Sequence, residues 1–136
     1  MAMTSGQLAK KSGVGVETLR FYEREGLLPK PARLASGYRQ YPAEAVERVR
    51  FVRRAQLLGF QLKDIKELLA LRENPDAGSG EVREKAVAKL ADIDQRIKDL
   101  EVMRTELTRL VAACNGSGPA AGCPIIAAIG DGHRPT

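Results

Sequence analysis

The run EVREKAVAKLADIDQRIKDLEVMRTELTRLV, Glu81–Val111, decides the fold, because it holds neither proline nor glycine and carries a single apolar stripe. Ala86, Leu90, Ile93, Ile97, Leu100, Met103, Leu107 and Leu110 follow one another in steps of three or four, which keeps them on one face of a helix. Charged residues such as Arg83, Lys89, Asp94, Lys98, Glu101 and Arg104 occupy the other faces. At about 1.5 Å per residue the helix runs roughly 46 Å, longer than a small domain is wide. An apolar stripe of that length needs a partner. It suits the seam of a coiled-coil dimerisation arm, with a slip where Leu100 to Met103 repeats a step of three, and it also suits a helix folded back on its own domain.

Working outward from the arm, the 136 residues divide into five expected segments. Residues 1–71 form the only candidate globule, 72–80 a linker, 81–113 the arm, 114–129 a loop with a short helix, and 130–136 a tail. The linker is marked by the turn-forming runs Asn74-Pro75-Asp76 and Gly78-Ser79-Gly80. Ser79 also suits the N-cap of the arm.

The net charge of +5 is unevenly spread. Residues 1–60 hold eleven lysines and arginines against five acids, a balance of +6, whereas residues 61–136 hold eleven against twelve, a balance of −1. A basic first domain beside a nearly neutral arm fits a nucleic-acid partner, since neutralised phosphates release counterions and supply much of the affinity. No stretch approaches the roughly 18 apolar residues of a membrane span, and Met1–Lys10 lacks the apolar core of a signal peptide, so a cytoplasmic protein without membrane partners is expected.

Within the first 71 residues, Thr4 or Ser5 caps a short helix that ends near Gly13, and a second helix covers Val16–Glu25 with Gly26 as its stop. Two short helices about a glycine-containing turn make a helix-turn-helix, although any helical hairpin shares that pattern. Between Pro29 and Pro42 the helical period lapses. Gly37-Tyr38-Arg39-Gln40-Tyr41 alternates aromatic and basic side chains at strand period, as a small β-ribbon or wing does; a solvated loop with two surface arginines reads the same way. Ala45, Val46, Val49, Val52 and Leu57 then mark a third helix that Gly59 ends, and Leu62, Ile65, Leu68 and Leu69 a fourth that starts near Gln61, with Phe60 placed for the core.

Past the arm, the two cysteines bound a small and flexible segment, CNGSGPAAGC from Cys114 to Cys123, followed by the apolar run Pro124-Ile125-Ile126-Ala127-Ala128-Ile129. In a reducing cytoplasm an isolated pair is a metal-ligand or redox pair rather than a structural disulfide. Thiolates are soft donors that favour Cu(I), Ag(I), Au(I) and Hg(II), and a four-thiolate zinc site lacks its second pair. The lone His133 lies ten residues beyond Cys123 and carries little weight as a ligand. A thiol–disulfide oxidoreductase would show C-x-x-C at a helix start beside a strand, and no Ser-His-Asp set or phosphate-binding glycine loop is present, so no enzyme is expected.

In order and spacing, Gly6-Gln7-Leu8-Ala9-Lys10, the run VETLRFYEREGLL from Val16 to Leu28, Gly37–Tyr41, Leu57-Leu58-Gly59-Phe60 and Cys114 to Cys123 with Pro124-Ile125-Ile126 resemble the MerR family of bacterial transcription regulators over about residues 4–129. The resemblance implies a mainly α fold: a winged helix-turn-helix DNA-binding domain, a second helical pair, a long antiparallel coiled-coil dimerisation helix and a C-terminal metal-binding loop. It implies a homodimer on double-stranded promoter DNA that, with its effector bound, distorts the promoter so that RNA polymerase can use it. The DNA-binding residues expected are Val16, Thr18, Arg20 and Tyr22 of the second helix and Arg33, Tyr38 and Arg39 of the wing. Cys114 and Cys123 are the expected metal ligands, with Ser79 of the other subunit closing the pocket.

Two features divide the metal assignment. Divalent-metal sensors of the family are expected to donate a third cysteine at the start of the arm, where this chain has Ser79, as copper, silver and gold sensors do. The eight residues between the cysteines, and the run Val49–Gln56, look instead like mercury regulators. A neutral hydroxyl does not replace a thiolate, so Cu(I), Ag(I) or Au(I) is the expected effector, with Hg(II) the alternative and a thiol redox switch a further one.

Overall fold

The computed structural model describes residues 2–130, so His133, given little weight as a ligand, lies with the rest of the tail outside the described residues. The described chain is mainly helical. Its elements are α1 (Ser5–Ser12), α2 (Val16–Arg24), β1 (Ala32–Arg33), β2 (Arg39–Gln40), α3 (Ala45–Leu57), α4 (Leu62–Glu73), α5 (Ser79–Ala113), a 3-10 turn at Ala120–Gly122 and α6 (Pro124–Gly130).

Local chemistry sets the boundaries. Thr4 caps α1 reciprocally: its hydroxyl accepts from the Gln7 N–H while the Gln7 side chain accepts from the Thr4 N–H, at 3.2 and 2.9 Å. Gly13 ends α1 at φ +74°, a left-handed conformation that costs glycine nothing, and its N–H donates to Ala9. The chain thus turns within three residues into α2. Between α4 and α5 only five residues remain as linker, because α4 runs to Glu73 and α5 begins at Ser79, two residues before the expected start of the arm.

Contacts divide the chain into two compact units, Met1–Lys89 and Leu90–Thr136. In the first, α1 packs against α2 and α3, and α3 against α4. Leu8, Leu19, Tyr22, Leu27, Tyr41, Val49, Val52 and Ile65 are its most deeply buried side chains. Each such apolar side chain contributes roughly 1.5–3 kcal/mol relative to exposure. Phe60 packs against this core half-buried, as its position predicts. The wing is a two-stranded antiparallel ribbon, Ala32 opposite Gln40 and Arg33 opposite Arg39, and Met3 bridges Tyr41 to tie the N-terminal segment to its edge. The first turns of α5 are fastened to this unit by the ion pair of Lys85 with Glu67 on α4.

The second unit comprises the remainder of α5, the cysteine loop and α6, with α6 packed on the 3-10 turn. Of the stripe residues, Leu110 is buried, whereas Leu90, Ile93, Ile97, Leu100, Met103 and Leu107 are all exposed. No helix is long and apolar enough to cross a membrane, among the described residues.

Candidate nucleic-acid interface and thiol pair

The short turn between α1 and α2 leaves the start of α2 standing clear of the core. Val16 and Glu17 are exposed and Thr18 is half-buried, while Leu19 turns inward. Tyr22 was expected on the DNA and belongs to the core instead. It is 2 % exposed, and its hydroxyl donates to Gln56 Oε1 at 2.7 Å. The reason is the helical period: Tyr22 lies three residues after buried Leu19 and so shares its face. Burial also pushes its phenol pKa up, partly opposed by the Arg53 charge.

Arg20 sits on another face of α2, half-buried, with Nη1 donating to Ser5 Oγ at 3.2 Å. It meets Arg33, Arg39, Tyr38 and Gly37 of the wing and Thr4, Ser5 and Gly6 of the first turn of α1 around a depression of about 480 Å³. Tyr38 is 71 % exposed, and Gly37 makes the wing turn at φ +88°. Two arginines directly opposite each other in an antiparallel ribbon repel, a cost that a bound anion relieves. The same depression opens on the N-terminus of α1, where backbone N–H groups and the helix dipole favour negative charge. Three guanidinium groups about a helix N-terminus make a surface suited to backbone phosphates, and α2 beside it offers Val16 and Thr18.

Two arginines of α3 brace the helix pair. Arg50 donates to the Lys11 carbonyl and Arg53 to the Gly13 carbonyl, both at 2.7 Å, so α3 grips the end of α1 and the turn. Arg48 donates to the Leu27 carbonyl at 2.7 Å and pairs with Glu73. Glu23 was missed entirely. Its side chain is 7 % exposed, accepting from Arg39 at 3.0 Å and from the Tyr41 hydroxyl at 2.9 Å. Tyr41 is buried beside the arginines.

In the second unit, Cys114 follows the last turn of α5, its N–H donating to Leu110 and Val111. Cys123 lies between the 3-10 turn and α6, its N–H donating to Ala120 and its carbonyl accepting from Ala127. Asn115 orders the loop between them by accepting from both the N–H and the hydroxyl of Ser117 at 3.0 Å. These termini bring the two sulfurs to 3.2 Å. The hydrogen bond with Cys114 holds the Cys123 thiol below its ordinary range, and the N–H groups of Ile125 and Ile126 lower it further.

Among the described residues no group of three or more His, Cys, Asp or Glu side chains gathers as a metal site. Cys114 and Cys123 bring two soft sulfurs together, with backbone N–H groups beside Cys123, and thiolates of that kind are chemically suited to a thiophilic ion. Sulfurs at 3.2 Å are closer than two metal–thiolate bonds of about 2.3 Å laid end to end, so a linear site needs the loop to widen. Ser79 is the exposed first residue of α5.

Comparison with known proteins adds the family context. Residues 3–71 match the family described as MerR HTH family regulatory protein, and residues 46–110 that described as MerR, DNA binding. The chain is 40 % identical to the HTH-type transcriptional regulator HmrR of Rhizobium leguminosarum bv. viciae over 96 % of this chain and 99 % of the relative. It is 43 % identical to the mercuric resistance operon regulatory protein of Serratia marcescens over 93 % of this chain and 87 % of the relative. Among solved structures it is similar to the transcription regulator PbrR691 of Ralstonia metallidurans CH34 in complex with lead(II), with a TM-score of 0.81 and 36 % identity over 93 % of this chain and 98 % of the other.

Proposed function

This chain belongs to the MerR family of helix-turn-helix transcription regulators, a class of non-enzymatic proteins, and on that premise we propose that it is a soft-metal sensor acting at a promoter. It binds double-stranded promoter DNA as a homodimer and activates metal-resistance or efflux genes by making the promoter usable for RNA polymerase. The effector is a monovalent soft ion, Cu(I), Ag(I) or Au(I), held by Cys114 and Cys123. The observation that carries the reading is the pair of sulfurs 3.2 Å apart, with Cys123 supported by backbone N–H groups.

Charge favours the monovalent ion. Two thiolates with one monovalent cation leave a net −1, which the Ile125 and Ile126 N–H groups offset. A divalent ion makes the pair neutral, gains less from those donors, and seeks a third thiolate where this chain has Ser79. A mercury(II) reading is favoured by the eight-residue spacing of the cysteines and by the mercuric resistance relative. A redox-switch reading uses the same sulfurs without metal.

The exposed apolar stripe supports the dimer. Six large apolar side chains of one helix face left in water promote association, and a second copy of α5 offers the matching surface. The test is metal bound by the reduced protein under anaerobic conditions, together with transcription from its promoter. Cys114→Ser and Cys123→Ser are expected to lose both metal and induction while keeping operator affinity. Induction that survives either substitution contradicts the thiol site, and induction without bound metal points to the redox switch.

A further inference from the structure

A carboxylate stands inside the basic wall that faces the DNA. Arg20, Arg24, Lys30, Arg33 and Arg39 line one cavity of about 430 Å³ together with Glu23. By Coulomb's law alone an acid in that place weakens binding to a polyanion. Yet Glu23 is nearly enclosed, and both of its oxygens are engaged: Oε2 accepts from Arg39 at 3.0 Å and lies 3.9 Å from Arg20, while Oε1 accepts from the Tyr41 hydroxyl at 2.9 Å.

These partners come from three different places. Arg20 is on α2 with Glu23, Arg39 is on β2, and Tyr41 is the residue that bridges Met3. One carboxylate therefore joins the helix that reads the groove to the ribbon that grips the backbone. Arginine is a long side chain with about 2 kcal/mol of rotamer entropy to lose on docking. When folding fixes the guanidinium beforehand, DNA binding does not bear that cost. The group has five N–H donors, and the bond to Glu23 uses Nη1, so a phosphate can still be met by the rest of the fork.

We propose that Glu23 is a positioning residue of the DNA-binding surface: touching no nucleic acid itself, it sets the Arg39 and Arg20 guanidinium groups and the wing against α2. The inference rests on the promoter-binding reading. Its sign distinguishes it from simple electrostatics, because removing a negative charge near phosphates strengthens binding unless that charge was holding the cations in place.

The test is operator binding by fluorescence anisotropy across a salt series for wild type, Glu23→Gln, Glu23→Asp and each Glu23 variant combined with Arg39→Ala. Glu23→Gln is expected to weaken binding about fivefold, the order of one neutral hydrogen bond. Glu23→Asp keeps the charge but draws the carboxylate back by one methylene, and is expected to weaken binding by about threefold or more. In the Arg39→Ala background both effects should shrink to about twofold or less, the mark of residues acting as a unit. Tyr41→Phe, which keeps the buried ring and removes one anchor of Glu23, provides a variant whose core is unchanged; about a twofold loss is expected.

Binding by Glu23→Gln that equals or exceeds wild type overturns the positioning role. So does a loss of the same size with and without Arg39, or a Tyr41→Phe protein that binds as wild type does. A wild-type protein that does not bind its own promoter overturns the DNA reading itself, a result separate from any of these.

Discussion

Arg33 and Arg39 face each other across the wing, in register on its two antiparallel strands. Their repulsion is a standing cost to the free protein, offset for Arg39 by Glu23. Arg33 is exposed on β1, so Arg33→Ala is expected to weaken operator and non-operator DNA alike and to lower the salt slope by about one, as a lost phosphate contact does. Arg39→Ala should do the same. Anisotropy titrations at several salt concentrations measure both, and an unchanged slope removes the residue from the DNA.

Tyr22→Phe should separate stability from recognition. The substitution removes the hydroxyl that donates to Gln56 and leaves the ring in the core. Urea unfolding is expected to show a loss of about 1 kcal/mol. Operator affinity should stay within about twofold of wild type; a large loss of affinity at wild-type stability would return Tyr22 to the interface.

The exposed stripe of α5 predicts its own disruption. Ile93→Asp with Ile97→Asp places two charges on the face proposed to meet the second copy. Sedimentation should report the monomer mass. A dimer of unchanged mass would refute the arm as the dimerisation element.

Cys123 should titrate below an ordinary thiol, whose pKa is about 8.5. Because folding favours its thiolate, the stability this contributes is present above the ordinary pKa and is lost as pH falls through the lowered one. Alkylation by iodoacetamide, followed by mass spectrometry across pH, is expected to reach half its maximal rate at Cys123 below that value. Cys114→Ala removes the largest cause of the lowering, so the midpoint should rise; an unmoved midpoint contradicts the Sγ–Sγ hydrogen bond.

What the sequence made legible was whatever local period and caps encode. The Thr4 cap, the Gly13 turn, the Gly59 break and the long helix with its apolar stripe all follow from residues within a few positions of one another. Tyr22 departs from the DNA-binding role the resemblance implied, because its spacing of three from Leu19 places it on the buried face. Glu23 was not legible in that way. Its partners Arg39 and Tyr41 lie 16 and 18 residues away, and an acid within VETLRFYEREG reads as one more solvated charge. The Met3–Tyr41 bridge was hidden for the same reason, since a single pair has no period. The cysteine pair and the apolar turn after it could be picked out from the sequence. The 3.2 Å approach of the sulfurs could not, because it depends on how the Asn115 turn and the 3-10 turn fold the loop.

Ser79 bears on the identity of the ion, and the most direct measurement of the central claim is promoter induction by Cu(I), Ag(I), Au(I), Hg(II), Cd(II) and Pb(II) in wild type and Ser79→Cys. The wild type is expected to respond to the monovalent ions, and Ser79→Cys to gain response to the divalent ones while Cys114→Ser silences both. A wild-type response confined to divalent ions would contradict the monovalent assignment, and a response indifferent to Cys114 would contradict the sensor.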